Sequence, residues 1–437
     1  MPGVGFHYWN DARNKPGGVT GIGPNPNQYN SFLDVFHNKG SVFYSFDYPE
    51  VFAIPSNTLS GMFSSVTLPD NIVLQLLNNG DLSDCFINMI TSGSASDILI
   101  GAQLIQFENT STGQIIDLTR GLAFSQSNFL VNGNFDIWQR GTSFNTTGYG
   151  ADRWFFAPPS TDFTFTRQSG SPATGSQFYG RVQRANLSVN TSGVSITQAL
   201  ESNNAILYQN NRVSLSFLAR CGSNYSSAGN GLTVQIASGT GTDQRYASFT
   251  GQGFLANTSV TLTTSWSLYT VNGITTTGTE LGVFFGYTPT GTAGANDYFE
   301  VSQVMFTQGI GAVFNPSSVQ QELSSCQRYF RRFNTVGNTF QFIMPGQAFS
   351  TTAAILYYSL QPNMRKLPLL TQKGNLQLTS NTAGVLPVTS LSINAGQSDG
   401  NTVRLDAGVA AGLAAGNITI LQANNDATGD VFLDAEL

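Results

Sequence analysis

The chain of 437 residues is 40% hydrophobic and 12% aromatic but only 10% charged, with a formal net charge of −6. That length exceeds one compact core and predicts two to four domains. The scarcity of Lys and Arg argues against a nucleic-acid binder, which needs clustered cations against phosphate, and no apolar run of roughly 18 residues marks a membrane-spanning helix.

In chain order, residues 1–34 are rich in Gly, Pro and Asn and cannot hold helix or ladder for long. They predict an extended anchoring arm, with Phe6, Tyr8 and Trp9 as apolar anchors against a neighbouring subunit. Ser31 and Asp34 could open a short helix. Residues 35–125 predict a small β-rich N-terminal domain: an apolar strand at 72–77, a turn at Asn79-Gly80, and strands at 98–107 and 114–118 flanking a loop of hairpin length. From 126 to 315 the period is two. Val213, Leu215, Phe217 and Ala219 share one face; Leu232, Val234 and Ile236 alternate with Thr233 and Gln235; strands are also predicted at 194–200, 265–271, 281–287 and 298–306. Short alternating strands between Gly/Thr/Ser/Asn loops predict a sandwich or barrel, and about eight in 180 residues suit a jelly roll.

A helix linking the last two domains is predicted within 316–334, near 318–331. Ser318 and Gln321 form a capping box, and Val319, Leu323, Cys326 and Phe330 fall on one face. Arg328, Arg331 and Arg332 would sit at its C-terminal end, complementing the helix dipole or contacting an acidic ligand or a second subunit. Residues 335–437 predict a C-terminal β-domain, with strands near 341–348, 353–361, 376–378, 391–393, 403–405, 418–421 and 431–433. The predicted class is therefore all-β, with one linking helix.

Lysine occurs only at 15, 39, 366 and 373, and the polar surface falls to Ser, Thr, Asn, Gln and 46 Gly. Such a surface has weak long-range fields and suits self-association or contact with neutral glycans. Cys85, Cys221 and Cys326 are too few and too scattered for a disulfide framework and read as buried thiols. With only His7 and His37, neither a zinc centre nor a Ser-His-Asp site is visible. The start of the chain has no signal-peptide pattern, so export by lysis or within a particle is expected.

Three segments carry a resemblance. The first is NFLVNGNFDIWQRGTSF at 128–144 with YGADRW at 149–154. The second is ELSSCQRYF at 322–330. The third joins GQAFSTTA at 346–353, MRKLP at 364–368 and DAEL at 434–437. Together they resemble a jelly-roll module of the carbohydrate-binding kind found at the distal end of bacteriophage virion proteins, over about 127–437. The resemblance implies a fibre-like structural protein, assembled in the host cytoplasm into the virion. It would be homotrimeric, held to other virion proteins by its N-terminal region, and would bind host cell-surface polysaccharide without chemistry. The alternatives are a capsid decoration protein that stabilises the shell and a tailspike-like polysaccharide depolymerase. The last needs only two carboxylates, for which Asp136, Asp152, Glu201, Asp297 and Glu300 are available.

An exposed indole or phenol stacks on the C–H face of a sugar, while Arg and amides bond its hydroxyls. Trp154 with Arg153, after the Gly-rich turn around Tyr149, is the predicted glycan contact; Tyr225 and Tyr287 in polar loops are further candidates. Trp138 reads as core or inter-subunit packing. Jelly-roll modules of this kind often hold a structural calcium, which implies a ligand set from Asn132, Asn134, Asp136 and Asp297 or Glu300. The competing reading makes Asn132-Gly133 a simple turn.

Overall fold

Strict apolar–polar alternation builds strands that bury one face, and the chain uses it twice, in a sandwich and in a barrel. The computed structural model describes residues 106–109, 114–117 and 128–437, apart from 276, 310–313, 336 and 381–383. The chain divides into two compact units, Met1–Phe124 and Ser125–Leu437. In the first, β1 (Gln106–Asn109) and β2 (Gln114–Asp117) form an antiparallel hairpin, with Asn109 opposite Gln114. The arm residues Phe6, Tyr8 and Trp9, the strand at 72–77, and Cys85, His7 and His37 lie outside the described residues.

The second unit opens with twelve strands. They are β3 (Ser143–Phe144), β4 (Gly148–Tyr149), β5 (Phe155–Ala157), β6 (Phe163–Gln168), β7 (Tyr179–Arg184), β8 (Val194–Ala199), β9 (Arg212–Cys221), β10 (Gly231–Gly239), β11 (Gly253–Thr261), β12 (Ser267–Ile274), β13 (Glu280–Tyr287) and β14 (Tyr298–Gln308). The chain crosses repeatedly, after one or two strands at a time, between two six-stranded antiparallel sheets, ordered β11-β10-β13-β8-β5-β4 and β12-β9-β14-β7-β6-β3. This is jelly-roll connectivity. Val213, Leu215, Phe217 and Ala219 of β9, and Leu232, Val234 and Ile236 of β10, are fully buried between the sheets, on the face that the alternation marks.

Ser318 caps helix α1 (Val319–Gln327), its hydroxyl accepting from the Gln321 amide at 3.3 Å. The helix ends earlier than the apolar spacing predicts. Phe330 belongs to β15 (Phe330–Arg332), which pairs with the last strand, β23 (Asp430–Asp434), Phe330 opposite Asp434. A long-range ladder overrides the local helical period, and β18 (Leu369–Lys373) completes that three-stranded sheet. The remaining strands close a barrel in the order β16-β17-β21-β20-β19-β22. They are β16 (Phe342–Ala348), β17 (Ala353–Ser359), β19 (Leu376–Ser380), β20 (Val385–Ile393), β21 (Thr402–Val409) and β22 (Ile418–Ala423). Closure leaves the barrel no free edge, and Met344, Leu356, Leu378, Leu405 and Leu421 fill it. No described helix is long and apolar enough to cross a membrane.

Candidate functional site

The Asn132-Gly133 turn organises the start of the jelly roll. Asn132 takes φ 61°, and its side chain accepts from Ile137 N (3.0 Å) and donates to Ile137 O (2.8 Å) and Asp152 O (3.1 Å). A Cβ on Gly133 would lie 2.2 Å from the Val304 carbonyl, so only glycine lets this turn abut β14. The Asn132 amide donates to Glu322, tying the turn to α1.

That arrangement corrects the glycan assignment of Trp154. Its side chain is fully buried, stacks on Phe135 at 4.9 Å and donates its indole N–H to Asn132 O at 3.0 Å. A ring with no exposed face cannot stack on a sugar. Arg153 is also buried: its guanidinium lies 3.8 Å from the Tyr329 ring, pairs with Glu436 and donates to Ala199 O. Tyr225 and Tyr287 pack together at 4.8 Å inside the sandwich, where burial pushes both phenols well above their ordinary range. Neither phenol ring offers a free surface. Tyr149 alone of the set is half-buried, its hydroxyl donating to Leu437 O at 3.3 Å. Trp138 is core, one of the two roles read from the sequence.

The implied calcium ligands do not converge either. Asn132 is consumed by its turn. Asp136 accepts from Asn134 at 3.1 Å, and burial raises its carboxyl. Asp297 faces Arg184 at 3.3 Å and accepts from Ser226, while Glu300 is clamped between Arg181 and Arg220. Carboxylates already neutralised by guanidinium are poor calcium ligands, and among the described residues no three His, Cys, Asp or Glu side chains group to hold a metal.

Residues from all three segments that carry the resemblance instead meet at one seam, between the jelly roll and the C-terminal domain, while 346–353 lies apart on the barrel wall. Arg140 holds Asp434 (3.0 Å) and Glu436 (3.3 Å) and lies over the Phe330 ring at 3.6 Å. Gln139 bonds Asp152 and Phe330 O. Arg328 grips Glu201 with two bonds of 2.7 and 2.8 Å, and Arg365 holds Asp243 at 2.7 Å. Burial pushes Asp152 up to about 6, against the pull of Arg140. Burial also raises Glu201, but the Arg328 and Tyr329 bonds outweigh it and leave its carboxyl below the ordinary value. Arg332 pairs with Asp430 at 2.6 Å and Arg331 donates to Pro362 O at 2.6 Å. The arginine cluster after α1 thus serves intramolecular contacts, not the dipole of a longer helix. Cys326 is buried beside this seam, and Cys221 lies in the sandwich; both are free thiols.

Three concavities among the described residues bear on ligand binding. One lies on the outer face of the β10-β13-β8 sheet, with a volume near 320 Å³. Gly286 is opposite Thr233 on one side and Ser195 on the other, and in the next row Phe284 lies between Gln235 and Thr197. A Cβ on Gly286 would meet the Phe284 ring and the Val194 carbonyl, each at 2.7 Å. The half-buried Phe284 ring therefore lies over Gly286, where any side chain would displace it. Ser195, Thr233 and Thr288 supply hydroxyls, and no ionisable side chain apart from the buried Tyr287 lines it. Phe284 was not singled out by sequence reasoning. The signal was available: Leu281, Val283, Phe285 and Tyr287 fill the inward positions, so Phe284 must face out.

A second groove, near 620 Å³, lies on the barrel wall between β16 and β17. There Ile418, Gln347 and Ile355 form a row across three strands, and Ile420 is opposite Pro345. Phe349 and Ile418 are each 71% exposed and Tyr357 53%. The third, near 400 Å³, sits at the seam between the β4–β5 hairpin and the chain around Lys366 and Leu437.

No family model and no curated protein sequence matches the chain. Among solved structures it is similar to a xylan-binding domain from Paenibacillus barcinonensis, at 12% identity over 43% of this chain and 97% of that one, TM-score 0.27. It is similar to the enzymatically active domain of tailspike protein 4 from bacteriophage CBA120, at 11% identity over 42% of this chain and 21% of that one, TM-score 0.28. A Stig cyclase from Fischerella shares 13% identity over 43% of this chain and 100% of its own, TM-score 0.30.

Proposed function

We propose that the chain is a non-catalytic, fibre-like virion protein of a bacteriophage whose jelly roll binds a neutral host surface glycan. The observation that carries the binding reading is the groove at Gly286. It offers a half-buried phenyl ring laid over Gly286, hydroxyls on both walls, and a lining free of charge. A neutral pyranose needs these groups: a ring for its C–H face and short polar side chains for its hydroxyls. Each contact exchanges against water and nets about 1 kcal/mol, so one site is weak and several copies must act together.

The virion setting rests on the sequence resemblance, and residues 1–34 are the proposed attachment arm. A non-catalytic role is supported by the carboxylates. Asp152, Glu201, Asp297 and Glu300 are all held by arginine, Asp136 is bonded by Asn134, and none of the five lines the groove. Assembly as a homotrimer is supported by the barrel wall, where Ile418, Ile420, Ile355 and Phe349 present an uncharged face with Gln347 as its main polar group. A face with no charge meets its own copy without like-charge repulsion. The test of the glycan reading is adsorption of purified protein to host cells. Phe284→Ala is expected to reduce adsorption at least tenfold with the melting temperature little changed. Unaltered adsorption by a folded Phe284→Ala protein would reject it.

A further inference from the structure

Most described arginines hold a carboxylate, yet two cations at the seam cleft do not. Arg245 and Lys366 both line it, both are exposed, and neither lies within ion-pair distance of an acid among the described residues. Arg245 instead lies 5.0 Å from the Phe155 ring. The acids of the cleft are already engaged. Glu436 is buried against Arg140 and Arg153, and Asp434 is held by Arg140 at 3.0 Å while keeping 37% of its side chain exposed. Asp434, Asp243 and Glu436 act on Lys366 from beyond bonding distance, so what the two cations offer the cavity is N–H donors with no carboxylate bonded to them.

The cleft also has a ring wall. Tyr149 and Phe155 are opposite one another on β4 and β5, their rings edge to face at 5.2 Å. The cavity of about 400 Å³ accommodates one or two sugar rings. A carboxylated pyranose uses all of these parts at once: its carboxylate between the guanidinium and the ammonium, its C–H face on an aromatic ring, and a hydroxyl donating to the exposed oxygen of Asp434. A neutral sugar leaves the cations unused, and a bare anion leaves the rings unused.

We infer that the seam cleft is a second saccharide site, selective for a carboxylated pyranose such as a uronate or a sialate. The inference rests on the reading of the chain as a glycan binder and adds an acidic subsite to it. Charge-assisted bonds from Arg and Lys to a carboxylate are stronger than neutral ones, so binding here depends on salt, unlike binding at the Gly286 groove.

The test is calorimetric titration of the full chain with oligogalacturonate and with a sialylated trisaccharide, against the carboxyl-reduced oligogalacturonate and inorganic phosphate. Variants are the double substitution Arg245→Gln/Lys366→Gln, which alters exposed side chains only, and Phe284→Ala. The expected result is binding of at least one carboxylated sugar, weakened tenfold or more by the double substitution and by 0.5 M salt, and unchanged by Phe284→Ala. Equal affinity for the reduced oligosaccharide, equal affinity for phosphate, or no effect of the double substitution overturns the acidic subsite. Failure of the acidic sugars alongside Phe284-dependent binding of neutral ones overturns the subsite and leaves the broader reading standing. Loss of all saccharide binding overturns both.

Discussion

Arg153 and Glu436, 283 positions apart in the chain, form an ion pair in which neither side chain exceeds 4% exposure. The pair fastens Glu436, just past β23, to the connection between β4 and β5 of the jelly roll. Removing one partner leaves the other charge buried, which costs about 3–5 kcal/mol. Glu436→Ala and Arg153→Ala are each expected to lower stability by that order, measured by denaturant unfolding. The double variant should lose less than the sum of the two. Additive losses would show that the pair does not act as a unit.

Trp154→Ala removes a fully buried indole and its bond to Asn132. The expected loss is about 3–5 kcal/mol, with glycan binding per folded molecule unchanged. A melting temperature equal to that of the parent would contradict the core assignment.

Asp152 gives a pH signature. Burial raises its carboxyl to about 6, above the unfolded value of about 3.9. The folded state therefore binds the proton more tightly, and the stabilisation present at pH 4 is lost as pH rises through 6. Asp152→Asn cannot titrate. Its stability deficit relative to the parent is expected to be larger at pH 4 than at pH 7, by on the order of 2 kcal/mol. A deficit independent of pH would mean that Asp152 stays ionised throughout.

Self-association through the barrel wall is expected to fail when a charge is placed at its centre. Ile418 is 71% exposed, so Ile418→Asp should fold normally. Sedimentation of the parent is expected to show a trimer that persists in high salt, and the variant a monomer. A parent that sediments as a monomer at micromolar concentration would remove the trimer from the proposal.

The strands of the sandwich and barrel were legible because each buries one face, so apolar residues recur every second position. The strands β3, β4 and β5 were not, since two or three residues carry no period, and β6 was passed over although Phe163 and Phe165 alternate with threonine. The start of α1 was legible through the Ser318 cap. Its end was not, because Phe330 continues the helical spacing while pairing with Asp434, 104 residues on, decides its conformation. The site was read less well. Trp154 follows a Gly-rich turn, which suggests exposure, but the turn folds back and seals the ring beneath Asn132. Asp297 and Glu300 read as free oxygens because their arginine partners, Arg184 and Arg220, lie far away in sequence. Phe284 was hidden by its neighbour Phe285, which made the pair look like continuous core.

Binding of neutral oligosaccharides by the Gly286 groove is the central claim, and nuclear magnetic resonance titration of the full chain with host-derived neutral fragments tests it most directly. The expected result is a dissociation constant of roughly tens of micromolar to millimolar, insensitive to salt, with shifts centred on Ser195, Thr233 and Phe284 and lost in Phe284→Ala. Binding that survives Phe284→Ala unchanged, or shifts that map away from β8, β10 and β13, would contradict it.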